Sequence, residues 1–273
     1  MKQKMRCNRS GAAAVIGLLL MAGVSFAEDA EEEKEEEGWK GELALAVNAQ
    51  TGSTDTFAGS LDAKTERSWD DKHLLRFRFN GVYGTTRSRG DDQGTETIQN
   101  SQGLFGNWKR RIHNRFFWAT GTELSRDNTQ DLELRASLAT GPGYRVWQGE
   151  QASKQHLDLS AGPGYRYEIY DGNTGGTVAE NGDTDHFADL VAAFEYQNLF
   201  FEDRLEYTHT GSARMPANDT SSYLLRSEVI LGLPLTEAWS FRTTFVVEYV
   251  ASPGSDEVNN TTTRTSVGLG YKF

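Results

Sequence analysis

Residues 261–273 read T-T-T-R-T-S-V-G-L-G-Y-K-F, and this stretch constrains the fold more than any other. Thr265, Val267, Leu269, Tyr271 and Phe273 alternate with Arg264, Ser266, Gly268, Gly270 and Lys272. A period of two with opposite polarity on its two faces is a β-strand. The strand runs out on an aromatic. A strand that closes a membrane-spanning barrel turns one face to hydrocarbon and the other to the lumen, with aromatics at the boundary. The expectation is an all-β fold, an antiparallel transmembrane β-barrel.

Composition agrees with that expectation where it is informative. A mean hydropathy of −0.60 excludes a helical membrane protein. It does not exclude a barrel, because half of each barrel strand is polar. Residues 1–27 have the form of a signal peptide: Lys2, Lys4, Arg6 and Arg9 precede an apolar stretch at 11–24, and Ser25-Phe26-Ala27 supplies small residues at the cleavage point. Cys7, the one cysteine, lies before that stretch, so a processed chain has no thiol chemistry. The formal net charge is −11 and grows more negative once the four basic signal residues leave, which excludes a nucleic-acid partner. Residues 28–38 follow as an acidic, disordered tail, rich in glutamate from 31 to 37. Residues 39–273 make the barrel.

Alternation divides those residues into twelve strands, near 39–50, 56–69, 73–87, 97–109, 116–125, 132–147, 156–170, 186–197, 201–211, 222–231, 239–250 and 261–273. Twelve is even, as single-chain bacterial barrels require. If both ends lie on the periplasmic side, the longer connections fall outside, chiefly 171–185. Trp39, Trp69, Trp108, Trp118, Trp147 and Trp239 then collect at the periplasmic interface. Tyr83, Tyr167, Tyr223 and Tyr249 collect at the outer one. Trp147 is off parity with its strand unless a bulge intervenes. Gly141-Pro142-Gly143-Tyr144-Arg145 recurs as Gly162-Pro163-Gly164-Tyr165-Arg166, about one hairpin later. Pro142 and Pro163 each lose a ladder hydrogen bond, so bulges are expected there.

The inward face carries both charge signs. Asp62, Lys64, Glu66, Arg76 and Arg78 come from the first three strands. Glu133, Arg135, Asp158, Arg166 and Glu168 come from the middle, and Arg226, Glu228, Arg242 and Arg264 from the last. These residues either fill the lumen with ion pairs or line a narrow pore that biases ion passage. A closed or very narrow lumen is the favoured expectation. No metal or cofactor is expected, because His73, His113, His156, His186 and His209 show no paired spacing. Two Asp/Asn-rich stretches at 171–175 and 181–185 lack the terminal glutamate of a calcium loop. No catalytic residue is assigned. In Tyr207-Thr208-His209-Thr210-Gly211-Ser212, the residue sharing a face with His209 is Gly211, and Ser212 points the other way.

The chain resembles the YdiY-type family of salt-induced outer-membrane proteins. The resemblance rests on Trp39-Lys40-Gly41, Gln50-Thr51-Gly52-Ser53-Thr54, the Gly-x-Gly-Tyr-Arg copies and the terminal Gly-Tyr-Lys-Phe. Ser53 stands where that family usually has Asn. The resemblance implies an outer-membrane barrel of a Gram-negative bacterium, with expression tied to salt or osmotic conditions and no known catalytic residues. Expected partners are outer-membrane lipid and the barrel-assembly machinery, the latter reading Leu269, Tyr271 and Phe273. A monomer is expected. The functional expectation is a non-enzymatic barrel serving envelope or osmotic adaptation. A narrow selective channel stands as the alternative, and a lipid-modifying enzyme is disfavoured.

Overall fold

A computed structural model describes residues 38–50, 54–70, 72–88, 96–170, 184–218, 220–251 and 260–273. Among them lie twelve strands: β1 Lys40–Gln50, β2 Thr54–Trp69, β3 His73–Ser88, β4 Glu96–His113, β5 Phe116–Asp127 and β6 Leu132–Gln148. The remainder are β7 His156–Tyr170, β8 Thr184–Phe200, β9 Leu205–Pro216, β10 Leu224–Pro234, β11 Trp239–Val250 and β12 Thr261–Lys272. The signal segment, the glutamate run, and residues 89–95 and 171–183 lie outside the described residues.

Each strand pairs antiparallel with its sequence neighbours, and β12 pairs back onto β1, so the sheet closes into a barrel. Closure leaves no exposed row of backbone donors and acceptors, which a lipid-facing sheet could not solvate. The closing seam has the shortest ladder. It runs from Glu42↔Lys272 to Leu45↔Leu269, extended at the end by Gly41 N donating to Phe273 O at 2.8 Å.

The alternation read from the sequence sorts the side chains, but inside out relative to a soluble domain. Leu45, Val47 and Leu190 on the outward face are 57, 69 and 62% exposed, while Arg166 and Glu168 on the inward face are 1% exposed. Water would not tolerate such an outer surface on a monomer, whereas hydrocarbon would.

Two departures from the expected strand plan, at the ninth strand and at the prolines, stand beside one expectation that a bulge fulfils, at Trp147. The ninth strand starts at Leu205, not 201, because Phe201, Glu202 and Asp203 occupy the left-handed region with φ of 57, 56 and 65°. Three such residues in a row make a reversing turn and cannot continue a strand. Trp147 does face outward: the register shifts between Arg145 and Trp147, so Trp147 stands opposite Leu157. One extra residue in a strand inverts the parity beyond it.

The expected bulges at Pro142 and Pro163 are absent. Ala139↔Gly164 and Gly143↔Ser160 keep the same register on either side of the prolines. The backbones press together there instead: a Cβ on Gly141 would lie 2.8 Å from the Gly162 Cα. The ladder carries on past both prolines with no inserted residue.

All six tryptophans belong to one rim, where odd strands begin and even strands end. There His73 stacks between Trp69 and Trp108 at 5.2 and 5.8 Å, Trp147 packs on Tyr196, and Trp239 on Tyr271. Tyr83, Tyr167, Tyr223 and Tyr249 lie toward the opposite rim, with Tyr223 stacked on Tyr249 at 5.7 Å. Leu269 and Tyr271 face outward on β12, and Phe273 at the chain end is 72% exposed.

Candidate functional site

Among the described residues, the lumen is where the fold gathers chemistry from many strands. Antiparallel registry aligns the inward residues of neighbouring strands, so Lys64 stands opposite Arg78, and Asp62 opposite Asn80. Like charges directly opposite one another destabilise a sheet. Each therefore needs a counter-charge, and the counter-charges come from across the barrel.

In one cluster, Arg76 on β3 donates through Nε to Glu66 on β2 at 3.0 Å and through a terminal nitrogen to Glu195 on β8. Lys64 lies 3.5 Å from the same Glu66. In a second, Arg78 on β3 joins Asp62 at 2.7 Å to Glu228 on β10. Arg242 lies 3.0 Å from Glu42 and 3.4 Å from Asp62, and Arg226 sits 3.5 Å from both Glu228 and Glu248.

A third cluster lies toward the rim opposite the tryptophans. Arg135 on β6 is bonded to Glu168 at 2.5 Å and to Glu248 on β11 at 3.0 Å. Arg166 contacts Glu168 at 3.0 Å and Asp189 at 3.1 Å, with Phe187 under its guanidinium at 4.1 Å. Tyr170 donates its hydroxyl to Glu168 at 2.8 Å. Arg264 on β12 reaches Asp127 on β5 at 2.9 Å.

Four of these links join strands five places apart around a ring of twelve: β3 to β8, β3 to β10, β6 to β11 and β5 to β12. Such links cross the lumen; they do not run along its wall. The space left between them includes a cavity of about 430 Å3. Small residues of β5–β9 line one side of it, among them Gly121, Ala139, Ser160 and Ala193, while Arg76 and Arg78 line the other.

Of the inward charges expected from sequence, Glu133 is misplaced. The register shifts between Leu132 and Leu134, and Glu133 is exposed at that bulge while Leu132 turns inward. The others sit in the ion-pair clusters. Sequence reading missed Lys109, Asp189 and Glu195, which complete these clusters. The inward row of β8 mixes Phe187 and Val191 with Asp189 and Glu195, so it shows no contrast of polarity for a periodicity argument to find.

His209 has a partner that local spacing could not reveal. Its Nε2 lies 3.0 Å from Ser227 Oγ on β10, while Phe194 packs edge-on against the ring at 4.8 Å. Both residues are on the outward face near the middle of their strands. The hydrogen bond satisfies two polar groups that would otherwise each cost several kcal/mol against hydrocarbon.

Comparison with solved structures returns barrels. The chain is similar to the translocator domain of the autotransporter NalP from Neisseria meningitidis at 10% identity, covering 86% of this chain and 87% of that one with a TM-score of 0.47. It is similar to an outer membrane channel from Pseudomonas putida F1 at 12% identity, covering 89% and 99% with a TM-score of 0.43. The NanC porin matches at 11% identity over 85% and 96%, with a TM-score of 0.40. No curated protein matches the chain. Over residues 43–273 the sequence matches the model of the family described as protein of unknown function, DUF481, and the chain belongs to that family.

Proposed function

We propose that the protein is a non-enzymatic barrel of the Gram-negative outer membrane whose lumen is held shut by ion pairs. In this reading it serves the envelope under salt or osmotic load as a structural element. The observation that carries the closed lumen is the set of salt bridges joining opposite walls, above all Arg135–Glu248 and Arg264–Asp127. An open pore would leave these groups hydrated along the wall; here Arg135 and Glu248 are 2% and 3% exposed.

The outward apolar surface and the rim aromatics support insertion in a bilayer. Export through the signal at 1–27 and assembly through Leu269, Tyr271 and Phe273 belong to the same proposal, as does a monomeric state.

A narrow ion channel is the second reading, favoured by the 430 Å3 cavity between the charged clusters. Planar-bilayer recording separates the two. For the refolded protein the expected result is a silent bilayer, with folding verified by heat-dependent gel mobility. Arg76→Ala with Arg78→Ala should then produce a leak, since both crossing links to Glu195 and Glu228 are lost. Steady current steps from the unaltered protein, shifting in ion selectivity on Arg76→Glu, would replace the closed reading with the channel.

A further inference from the structure

Asp158 on β7 and Glu195 on β8 are direct cross-strand partners, and both point into the lumen near the tryptophan rim. Two carboxylates placed opposite each other repel unless a cation lies between them. Lys109 occupies that position, with its Nζ 3.1 Å from Asp158 Oδ2 and bonded also to Glu195 Oε2. Arg145 holds Asp158 from the far side at 2.7 and 3.0 Å, and Arg76 holds Glu195.

His156 makes this more than an ion-pair cluster. It precedes Asp158 by two residues, so the two side chains share the inward face. Its Nε2 lies 3.8 Å from Asp158 Oδ2 and 3.9 Å from Glu195 Oε1. The residue is 2% exposed, yet neither ring nitrogen has a hydrogen-bond partner. A buried imidazole that neither donates nor accepts is a rare and costly arrangement. The ammonium of Lys109 neutralises the two carboxylates but leaves the imidazole lone pair unused. A divalent transition metal would use all three ligands.

We propose that His156, Asp158 and Glu195 form a binding site for a divalent transition metal of the Zn2+ type, for which Lys109 acts as the resident competitor. One ligand atom from each of the three lies within 4.8 Å of the others. Zinc at about 2.0–2.2 Å from nitrogen and oxygen ligands needs them about 3.4 Å apart, so the two sides from His156, 3.8 and 3.9 Å, shorten by about half an ångström, and the carboxylate–carboxylate side, within 4.8 Å, closes by up to about 1.4 Å on binding. One imidazole, two carboxylates and a water complete four-coordination. Arg145 keeps Asp158 Oδ1 through its Nε and Arg76 keeps Glu195 Oε1, and both orient the carboxylates, as outer partners of metal ligands do. Lys109 yields its place. Its Nζ already lies 5.3 Å from the Phe117 ring, a cation–π position toward which it can swing. The bound metal would tie β7 to β8 at this end of the lumen, and the site holds whether or not the lumen conducts.

The test uses the refolded barrel in detergent, with folding of every variant verified by heat-dependent gel mobility. Zn2+ binding is measured by calorimetry, and Co2+ binding by its visible absorption. One equivalent should bind to the unaltered protein. Lys109→Met removes the competitor and should tighten Zn2+ by about tenfold or more, whereas His156→Ala in that background should weaken it by about a hundredfold. If Lys109→Met fails to fold, Lys109→Gln serves. If neither folds, the Co2+ spectrum of the unaltered protein against His156→Asn decides. No binding at millimolar metal to a folded Lys109 variant would overturn the proposal. So would binding that His156→Ala or His156→Asn leaves unchanged.

Discussion

Arg135→Ala is expected to destabilise the barrel by about 3–5 kcal/mol, the cost of removing one partner from a buried ion pair. The side chain is 2% exposed and is bonded to Glu168 and Glu248 at once. Its loss takes the shortest cationic contact from two buried carboxylates. Glu168 keeps Arg166 at 3.0 Å, but Glu248 is left with Arg226 at 3.5 Å and Arg264 at 3.9 Å, neither at close hydrogen-bond distance.

Reversible urea unfolding in lipid vesicles, followed by tryptophan fluorescence, reads the change directly. The double variant Arg135→Met, Glu248→Gln should recover most of the loss, because it removes one charge of each sign and leaves Glu168 on Arg166, and burying an ion pair or a matched neutral pair differs little in net free energy. A loss below about 1 kcal/mol for Arg135→Ala would mean that these charges are solvated like a surface pair, and the closed lumen would fall with it.

Gly162→Ala should have an effect of comparable size by a different route. At this point β6 and β7 run closer than side chains allow: a Cβ on Gly162 would lie 2.7 Å from the Gly141 Cα and overlap the Thr140 carbonyl oxygen. Backbone cannot step aside as a flexible side chain can. The expected cost is about 3 kcal/mol or more, at the upper end of overpacking changes. It should be read as loss of the heat-modifiable folded band. Gly121→Ala is the control. It is also an inward glycine, but the nearest atom to its would-be Cβ is Asn107 Nδ2 at 4.0 Å, so a change within about 0.5 kcal/mol is expected. Equal tolerance at both positions would show that the strands can separate there without penalty.

These two sites show how unevenly the sequence reports on the molecule. The repeated Gly-Pro-Gly-Tyr-Arg motif was visible as a repeat, and its prolines pointed to an irregularity. What the motif does lies in the approach of Gly141 to Gly162, and the pairing register of two strands is not written in either one alone. Arg135, Glu168 and Arg166 were legible as inward charges from parity within their own strands. Their crossing partners were not. Glu195 is 119 residues from Arg76, and Asp127 is 137 residues from Arg264, so no window of sequence contains both members. His156 looked like an isolated histidine for the same reason. His-x-Asp on one strand signals nothing until Glu195 arrives from the next.

The sequence by itself determined the number of strands, most of their bounds and, outside β8 and β9, which face is apolar. A two-residue period is a local property, and each strand buries one face whatever its neighbours do. It also determined that the tryptophans share a rim, since that follows from strand order and alternating direction. Only the tertiary structure decided where parity breaks, as at Glu133 and Trp147, and which charges meet across the lumen. Both depend on bulges and on the stagger accumulated around twelve strands, and a residue's own neighbourhood in the chain carries no trace of a sum taken over the whole ring.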